Sequence, residues 1–270
     1  MLENPRSPRV RAVAKLTKRS ARTETGLFLL EGPQSVREAL TYRPEAIIEL
    51  FATPHGWERH ADIRAAAAEA DVEVEYVSED VLNAMADTVT PQGLVAVVRQ
   101  TPTSVRDIFD AAPRLVAICE EVRDPGNLGT IIRAADAAGA DAVVLTGRTV
   151  DPYNPKVVRA TTGSLFHLPV SVGGELDEVV RRAHDAGLQI LAADVKGDDL
   201  LAARADGVLG EPTAWLFGNE ARGLEDEALT QADRVLRLPI FGRAESLNLA
   251  TAASVCLYES AFAQRAASTG

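Results

Sequence analysis

Residues 215–224 read Trp-Leu-Phe-Gly-Asn-Glu-Ala-Arg-Gly-Leu, and the fold class follows from this stretch. A short apolar strand runs directly into a Gly-Asn-Glu-x-x-Gly turn, so polar side chains stand at the carboxyl end of the strand. In open α/β sheets, ligands bind at that edge. A structural turn would explain Gly218 and Gly223, but it gives no reason for Asn219 and Glu220 between them. The stretch therefore predicts a ligand-binding loop at the edge of an α/β sheet.

Strands and helices alternate on both sides of this loop. Predicted strands that are apolar almost throughout cover residues 115–119, 142–146, 165–170, 188–193, 214–217 and 235–238. Helices separate them, including residues 128–138 and a long final helix from about 247 to 264, which is typical of a parallel sheet covered on both faces. A smaller α/β alternation comes first and ends at the Arg-Gln-Thr-Pro-Thr break, residues 99–103. We therefore expect two domains, residues 1–104 and 105–270.

The net charge of −11 argues at first against a polyanionic partner. The charge is unevenly spread, however, because residues 1–22 carry seven basic residues and one acidic residue. That gives this stretch a charge of +6 and leaves −17 for the remainder. Such asymmetry indicates nucleic-acid binding, and a solvated helix face explains it equally well.

Other chemistry is disfavoured by composition. Cys119 and Cys256 lie in apolar runs, so we expect buried packing thiols rather than a disulfide framework or a metal site. The four histidines lack metal-ligand spacing, and we predict no metal; His167 is expected to be a structural strand histidine. The chain begins without an apolar signal core, and no apolar run approaches the roughly 20 residues that cross a bilayer. We therefore expect a cytoplasmic protein that does not bind membranes.

A second polar loop, residues 124–133, reads Asp-Pro-Gly-Asn-Leu-Gly-Thr-Ile-Ile-Arg and joins a strand to a helix. Its glycines let the backbone approach a ligand, and the helix N-terminus offers unpaired N–H groups to an anion. Arg133 lies away from the buried stripe of that helix, so it is free to reach a phosphate; a solvated helix charge is the alternative. The fingerprint Gly-x-Gly-x-x-Gly is missing, which disfavours a dinucleotide-dependent oxidoreductase.

A third segment, residues 238–253, leads into the final helix. Ser246 can cap that helix, and the cap alone would account for it. Asn248 is more unusual, because it stands in the first turn of a helix that is almost wholly apolar up to Leu257. A helix that is apolar on all sides must be buried, and at a chain terminus a second subunit is the simplest cover.

In this order and spacing, the three segments closely resemble the signature motifs of the SpoU/TrmH branch of the SPOUT RNA methyltransferases, over about residues 110–265. Residues 28–33 and 90–94 also resemble parts of the small substrate-binding domain that precedes it in many members. The resemblance implies a small α/β RNA-binding domain followed by a parallel-sheet α/β trefoil knot. It further implies that S-adenosylmethionine lies bent in the knot and that the C-terminal domain forms a homodimer.

The resemblance also implies roles for individual residues. Carried to matching positions, the catalytic set is Asn127, Arg133, Glu220, Ser246 and Asn248. Backbone groups around six positions are expected to hold the methyl donor: Leu145, Thr146, Gly218, Leu238, Ile240 and Leu247. RNA contacts are expected from the basic stretch at Arg9, Arg11, Lys15, Lys18 and Arg19, and at Lys156 and Arg159, for which a solvated helix face is the alternative.

Methyl transfer to a ribose 2′-hydroxyl of RNA is the implied reaction. A guanidinium stays protonated up to about pH 12, so we expect Arg133 to clamp the RNA phosphate and stabilise developing alkoxide charge. The proton then leaves through that phosphate or water. Ribosomal RNA, and 23S rRNA in particular, is the expected acceptor, because the two-domain layout resembles ribosomal RNA members. Transfer RNA stays an alternative, as does a non-catalytic RNA-binding or ribosome-assembly factor on the same scaffold.

Overall fold

The computed structural model describes residues 1–268. Its helices are α1 (Pro8–Lys15), α2 (Arg19–Thr25), α3 (Pro33–Tyr42), α4 (Pro54–Glu58), α5 (Ala61–Glu69), α6 (Glu79–Met85), α7 (Val105–Asp110), α8 (Pro125–Ala138), α9 (Pro155–Thr161), α10 (Leu176–Asp185), α11 (Leu200–Ala205), α12 (Asp226–Thr230) and α13 (Leu249–Ser268). Its strands are β1 (Leu27–Glu31), β2 (Ile47–Ala52), β3 (Val74–Tyr76), β4 (Leu94–Arg99), β5 (Leu115–Glu120), β6 (Ala142–Thr146), β7 (Val170–Gly174), β8 (Gln189–Asp199), β9 (Thr213–Phe217) and β10 (Arg234–Arg237). Short 3-10 helices cover Pro44–Ala46, Ser164–Phe166 and Val208–Gly210.

The chain divides into two compact units. The first consists of Met1–Thr101 together with Asp151–His167, and the second of Pro102–Val150 together with the chain from Leu168 onward. The segment Asp151–His167, which lies within the expected second domain, thus packs with the first unit. The chain therefore passes from one unit to the other three times.

The first unit contains a four-stranded sheet in the order β1-β4-β2-β3. Strand β4 is antiparallel to both of its neighbours, and β3 is parallel to β2. Phe28 and Leu30 belong to one buried cluster and Leu29 to another, so apolar groups cover both faces of the sheet. Tyr153 and Phe166 join the first cluster, with ring centroids 5.0 and 6.4 Å from that of Phe28. The segment Asp151–His167 is therefore part of this unit's core.

The second unit contains a six-stranded sheet in the order β10-β8-β9-β5-β6-β7. Every neighbouring pair is parallel, which confirms the predicted parallel sheet. On one face, apolar side chains of the strands pack with residues of α7 and α10. Elsewhere the buried Trp215 donates from Nε1 to Ser260 Oγ on α13 at 2.9 Å, and α13 also packs against α8. Because the strands are parallel, the loops after β8, β9 and β5 are neighbours at the carboxyl edge.

Strand β8 is interrupted where it pairs with β10. Ala192 is the partner of Val235, but the next residue of β10, Leu236, pairs with Asp198. Residues 193–197 therefore leave the ladder and form an excursion at the carboxyl edge. Gly197 closes it, because a Cβ there would lie 2.5 Å from the carbonyl of Val235, closer than any side chain allows.

The predicted strand over residues 165–170 is wrong. Ser164–Phe166 forms a 3-10 helix, and β7 begins only at Val170. Leu165 and Phe166 are apolar because they pack in the core of the first unit, not because they lie in a sheet. His167 is therefore not on a strand; its Nε2 lies 3.1 Å from Glu38 Oε2.

The expectation of buried packing thiols is confirmed. Cys119 and Cys256 are buried free thiols, and burial raises the pKa of the Cys119 thiol to about 12. Within residues 1–268, no helix is both long and apolar enough to span a membrane.

Candidate active site

Side chains from the three polar segments meet in one chain of hydrogen bonds. Asn127, in the first turn of α8, donates from Nδ2 to Glu220 Oε1 at 3.3 Å. Asn248, which directly precedes α13, donates from Nδ2 to Asn127 Oδ1 at 2.9 Å. The fold thus brings together residues that are 93 and 121 positions apart in the sequence. We call this chain the Glu220–Asn127–Asn248 network.

Glu220 is held by the backbone of the loop after β5. Its carboxylate accepts from the backbone N–H groups of Arg123 at 3.1 Å and Asp124 at 2.9 Å. Partial burial acts to raise the pKa of Glu220, but the backbone N–H groups and the Asn127 amide outweigh it and lower the pKa. Glu220 is therefore ionised at neutral pH and acts as a hydrogen-bond acceptor, which ties the loop after β9 to the loop after β5.

Helix caps set the directions of the two asparagines. Asp124 caps α8 by accepting from the Asn127 N–H at 2.8 Å, and Pro125 starts the helix. Asn248 caps α13, because its Oδ1 accepts from the N–H groups of Ala250 and Thr251 at 2.9 and 3.2 Å. The predicted Ser246 cap is therefore wrong: the helix begins two residues later, and Asn248 takes the capping position.

The turn after β9 depends on a close approach of two glycines. Asn219 and Gly223 exchange backbone hydrogen bonds of 3.0 and 2.8 Å across it. A Cβ at Gly218 would lie 2.5 Å from the Gly223 carbonyl, so this position requires glycine. Asn219 Nδ2 also donates to the Glu121 carbonyl at 2.9 Å. These contacts hold Glu220 in place at the sheet edge.

A cavity of about 360 Å³ lies beside this turn. Its wall is mostly apolar on the side of the third segment, and its rim carries charged side chains. Its lining includes the apolar residues Leu236, Leu238, Ile240, Leu247, Leu249 and Ala252 and the polar residues Asp194, Lys196, Glu220, Arg222 and Ser246. Two residues of the predicted catalytic set, Glu220 and Ser246, thus border the cavity.

The predicted donor-binding positions divide into two groups. Leu238, Ile240 and Leu247 line the cavity, and Gly218 shapes the turn next to it. Leu145 and Thr146 do not line it, because both are buried in β6, which β5 separates from β9 in the sheet.

The cavity also contains residues that the sequence patterns do not indicate. Ala193, Asp194, Val195 and Lys196 line it because they belong to the excursion from β8. Asp194 Oδ1 accepts from the Lys196 N–H at 2.9 Å, which folds the excursion back on itself. The signal that could have found them is the Asp-Val-Lys-Gly sequence, which places two charges and a glycine after an otherwise apolar strand.

A larger polar cleft of about 790 Å³ shares Asn219, Arg222 and Gly223 with this cavity. Around Glu121 it holds Arg123, whose NH2 lies 2.6 Å from Glu121 Oε2, and Arg222, at 3.4 Å from the same oxygen. The hydrogen bond from Arg123 is the main reason why the pKa of Glu121 is lowered. The cleft therefore brings cationic side chains to the same edge as the network.

Arg133 stands apart from the network. It is exposed on α8, six residues after Asn127, a rise of about 9 Å along the helix axis. Among residues 1–268 its side chain makes no hydrogen bond or ion pair, so its charge is available to a ligand or to another chain.

The predicted RNA-binding residues, all in the first unit, differ in availability. Arg11, Lys15, Lys18, Arg19 and Lys156 are exposed. Arg9 forms ion pairs with Glu49 and Glu75 at 2.7 and 2.5 Å, and Arg159 lies 2.9 Å from Asp87. Arg22, which contributes to the basic charge of residues 1–22, is 2% exposed and binds Asp151. The usable positive charge of the N-terminal stretch is therefore smaller than the sequence indicates.

Comparison with known proteins places this fold and site among RNA-modifying enzymes. The sequence profile described as the SpoU rRNA Methylase family matches residues 114–258. The profile described as RNA 2′-O ribose methyltransferase substrate binding matches residues 29–104. The fold and the site thus define a two-domain RNA methyltransferase. The chain belongs to the SpoU rRNA methylase family.

Relatives of known structure or activity resemble the whole chain. The 23S rRNA (guanosine(2553)-2′-O)-methyltransferase RlmP of Bacillus subtilis is 34% identical, over 95% of this chain and 97% of its own. A 23S rRNA (uridine(2479)-2′-O)-methyltransferase of Streptomyces viridochromogenes is 33% identical, over 91% and 86%. The AdoMet-bound crystal structure of an rRNA methyltransferase from Sinorhizobium meliloti has a TM-score of 0.82 and 34% identity, with 96% of each chain covered.

Proposed function

We propose that this chain transfers the methyl group of S-adenosylmethionine to a ribose 2′-hydroxyl of 23S rRNA. The observation that carries the proposal is that the Glu220–Asn127–Asn248 network borders a cavity walled by the third segment. Family membership and the 23S rRNA 2′-O-methyltransferases among the relatives support the substrate class. The rRNA target is favoured over tRNA, because the relatives that cover most of this chain are named for 23S rRNA.

The residues around the cavity fit S-adenosylmethionine. The volume of the cavity, about 360 Å³, lies in the range of small-molecule sites. Leu238, Ile240 and Leu247 supply an apolar wall suited to an adenine ring. Asp194 and Glu220 offer acceptors to the hydroxyl and ammonium groups of the donor. When bound, the donor supplies an electrophilic methyl group on a sulfonium. Leu145 and Thr146 are left out of this donor site because they do not reach the cavity.

The network serves orientation. Glu220 and Asn248 hold the Asn127 amide from both sides, so its position relative to the cavity is set before RNA binds. Alignment of donor and acceptor can contribute roughly 7–11 kcal/mol in well-oriented systems. Ser246 lines the same cavity as Glu220 and contributes a hydroxyl group there. Arg133 clamps the RNA phosphate and stabilises the developing alkoxide, while the proton leaves through the phosphate or water.

The enzyme acts as a homodimer joined through its C-terminal domain. Helix α13 exposes Val255, Tyr258 and Phe262 by 37, 37 and 57%, on one face of the helix. A second copy is the occupant that we infer, because this exposed apolar stripe on the last helix needs a cover. Tyr258 Oη donates to the Ala137 carbonyl at 3.3 Å, so α8 lies beside the same face. Arg133 is one helical turn before Ala137, so an interface on this face carries Arg133 toward the partner's site.

We propose that residues 1–104 bind the RNA substrate. We also propose that the reaction takes place in the cytoplasm, where ribosomal RNA is accessible. The substrate-binding profile over residues 29–104 supports the first statement. The exposed cations Arg11, Lys15, Lys18 and Arg19 supply phosphate contacts at this end of the chain.

The test is methyl transfer from labelled S-adenosylmethionine to a 23S rRNA transcript, with the modified ribose mapped by mass spectrometry. We expect incorporation of methyl groups at a 2′-oxygen, and Arg133→Ala should lower it about 100-fold or more without changing the affinity for S-adenosylhomocysteine. Methylation of tRNA in place of the transcript would correct the substrate. A chain that binds no donor in calorimetry would instead be a non-catalytic RNA-binding factor.

A mixing experiment separates the two copies of the site. Arg133→Ala and Asn248→Ala chains are each expected to be inactive as homodimers. If Arg133 acts in the partner's site, mixed dimers regain up to about half of the wild-type activity per dimer, because one of the two sites is then complete. A mixed dimer contains one complete site only if the Arg133 and the Asn248 of that site come from different chains. If heterodimers of verified composition regain no methyl-transfer activity, Arg133 acts in the site of its own chain.

A further inference from the structure

Phe241 is a large aromatic side chain that the protein leaves in solvent. It lies between β10 and α13, in the third segment, and is 88% exposed. The following residue, Gly242, has open space around it, since a Cβ there would meet no atom within 4 Å. The tip of this loop therefore projects away from the second unit.

Arg243, on the other side of Gly242, is also exposed. Its guanidinium makes no hydrogen bond or ion pair within the part of the chain that the structure describes. The loop thus presents an aromatic ring and an unpaired cation, separated by one glycine.

The position of this loop relates it to the methyl-donor cavity. Ile240, immediately before Phe241, lines the cavity, as do Glu245, Ser246 and Leu247 a few residues later. Phe241 and Arg243 are not among the lining residues, so they belong to the outer side of a loop whose two ends form the cavity wall. The loop is therefore a surface that an acceptor bound at the cavity can contact.

We propose that Phe241 is a stacking platform for an unpaired base of the acceptor RNA and that Arg243 pairs with a neighbouring phosphate. The inference rests on the proposed function, whose acceptor site it extends. Proteins that recognise RNA by sequence bind unstacked bases on aromatic faces, and guanidinium groups pair with phosphates. Ring and cation side by side match the alternation of base and phosphate along a single strand.

RNA fits this loop better than a second protein chain does. The residues from Gly242 to Ser246 are small or polar, and the exposed apolar side chains nearest to Phe241 in the sequence, Ile240 and Leu247, line the cavity. Phe241 is therefore not surrounded by an apolar surface of the kind that forms the centre of a protein interface. The exposed apolar residues of α13 begin at Val255, seven residues after Asn248 and about 10 Å further along. The loop is therefore separate from the proposed dimer face.

The test compares wild type, Phe241→Ala, Phe241→Leu and Phe241→Trp in the full-length protein, with a 23S rRNA transcript as the probe. Phe241→Ala should weaken RNA binding and lower kcat/KM by roughly 5- to 150-fold, as the loss of one base stack does. Phe241→Trp should retain activity because it keeps an aromatic face. Phe241→Leu keeps apolar area without the ring, so it should behave like the alanine variant. The affinity for S-adenosylhomocysteine, measured by calorimetry, should be unchanged in all of them.

Arg243→Gln tests the phosphate contact separately. The slope of log affinity against log salt concentration should fall by about 0.7, the value for one phosphate contact on a single strand. Leu201→Ala is the matched control for an exposed apolar side chain, because Leu201 lies on α11 and lines none of the cavities described above. It should bind and methylate RNA like wild type.

Several results would overturn the inference. These are unchanged RNA binding in Phe241→Ala, wild-type behaviour of Phe241→Leu, weaker S-adenosylhomocysteine binding, or conversion of the protein to a monomer, which would make Phe241 a subunit contact. Failure of the proposed function is distinguishable, because a wild-type protein that does not methylate the transcript still allows the RNA affinities of the variants to be compared.

Discussion

The two ends of the Asn248 amide make different contacts. Its Oδ1 accepts from backbone N–H groups and caps α13, whereas its Nδ2 donates to Asn127. Aspartate can replace the first contact but not the second, because a carboxylate has no N–H to donate. One residue therefore connects the stability of a helix to the geometry of the site, and substitution can separate the two.

We expect Asn248→Asp to keep the helix cap, since Asn and Asp are equally good caps, and to lose about 0.5–1.5 kcal/mol of unfolding free energy with the hydrogen bond to Asn127. Its methyl transfer should be lost, because two acceptors would then face each other at Asn127. Asn248→Ala should lose the cap as well, at a cost of about 1 kcal/mol. Urea unfolding and labelled-methyl incorporation measure the two effects, and an active Asn248→Asp enzyme would contradict the role of the amide.

Glu220 has a pKa below its ordinary value of 4.5, because hydrogen bonds to the ionised form outweigh partial burial. Its ionised form therefore stabilises the fold. This contribution is complete above the ordinary pKa and is lost as the pH falls through the lower folded value. We expect Glu220→Gln to unfold at a lower temperature than wild type at pH 7, and the difference to shrink as the pH falls below 4.5.

Thermal unfolding between pH 3 and pH 7 checks this prediction. Glu69→Gln, at an exposed position at the end of α5, is the control and should follow the wild-type curve. A Glu220→Gln deficit that stays constant over the whole range would show that the loss comes from the changed side-chain shape instead of the charge.

At the scale of elements, the cavity that we propose for the methyl donor depends on one irregularity in a regular sheet. The excursion of residues 193–197 from β8 places Asp194 and Lys196 at the rim of the cavity. Strand β10 skips these five residues of β8, because Val235 pairs with Ala192 and Leu236 pairs with Asp198. Close backbone contact at Gly197 holds the excursion against β10. A regular strand here would leave no wall on this side of the cavity.

Gly197→Ala should disturb this wall, because its Cβ would lie 2.5 Å from the Val235 carbonyl and push β8 and β10 apart. We expect at least about a tenfold loss of S-adenosylhomocysteine affinity in calorimetry, together with a lower Tm; steric misfits of this kind typically cost 1–3 kcal/mol. Gly242→Ala is the matched control, since a Cβ there meets nothing within 4 Å, and its affinity should equal that of wild type. If both variants bind S-adenosylhomocysteine as tightly as wild type, the excursion is not part of the donor site.

At the scale of the whole molecule, an acidic chain has to bind a polyanion. The net charge of −11 is offset only locally, and ion pairs of Arg9 and Arg159 and the burial of Arg22 reduce the cations that reach solvent. The proposed dimer would bring two sets of exposed cations into one particle, which raises avidity for a single RNA without changing the charge of either chain. The oligomeric state is therefore part of the substrate-binding mechanism that we propose.

Val255→Glu combined with Phe262→Glu should convert the protein to a monomer, because each places a charge in the exposed apolar stripe of α13. Sedimentation velocity measures the change, and methyl transfer should fall with it if Arg133 acts in the partner's site. Leu201→Glu, on an exposed position of α11, is the control and should leave the sedimentation coefficient as it is. A dimer that survives the double substitution would move the interface elsewhere.

Local patterns in the sequence were sufficient for the parallel sheet of the second unit. Apolar strands and capped helices depend on neighbouring residues, so Leu115–Glu120, Thr213–Phe217 and the start of α8 follow from their own sequences. The short helices α2, α4, α6, α7, α11 and α12 are not predicted from the sequence, because five to seven residues contain too few turns to establish a helical period.

The sequence by itself determined the candidates for the chemistry that we propose: an acidic acceptor, two amides, a hydroxyl and a guanidinium. Only the tertiary structure decided which of them meet. Glu220, Asn127 and Asn248 come together because β5 and β9 are neighbours in the sheet and α13 begins beside α8, and strand order is a non-local property. For the same reason Leu145 and Thr146, on β6, lie away from the cavity, while Asp194 and Lys196 reach it through a change of pairing register that no local pattern encodes.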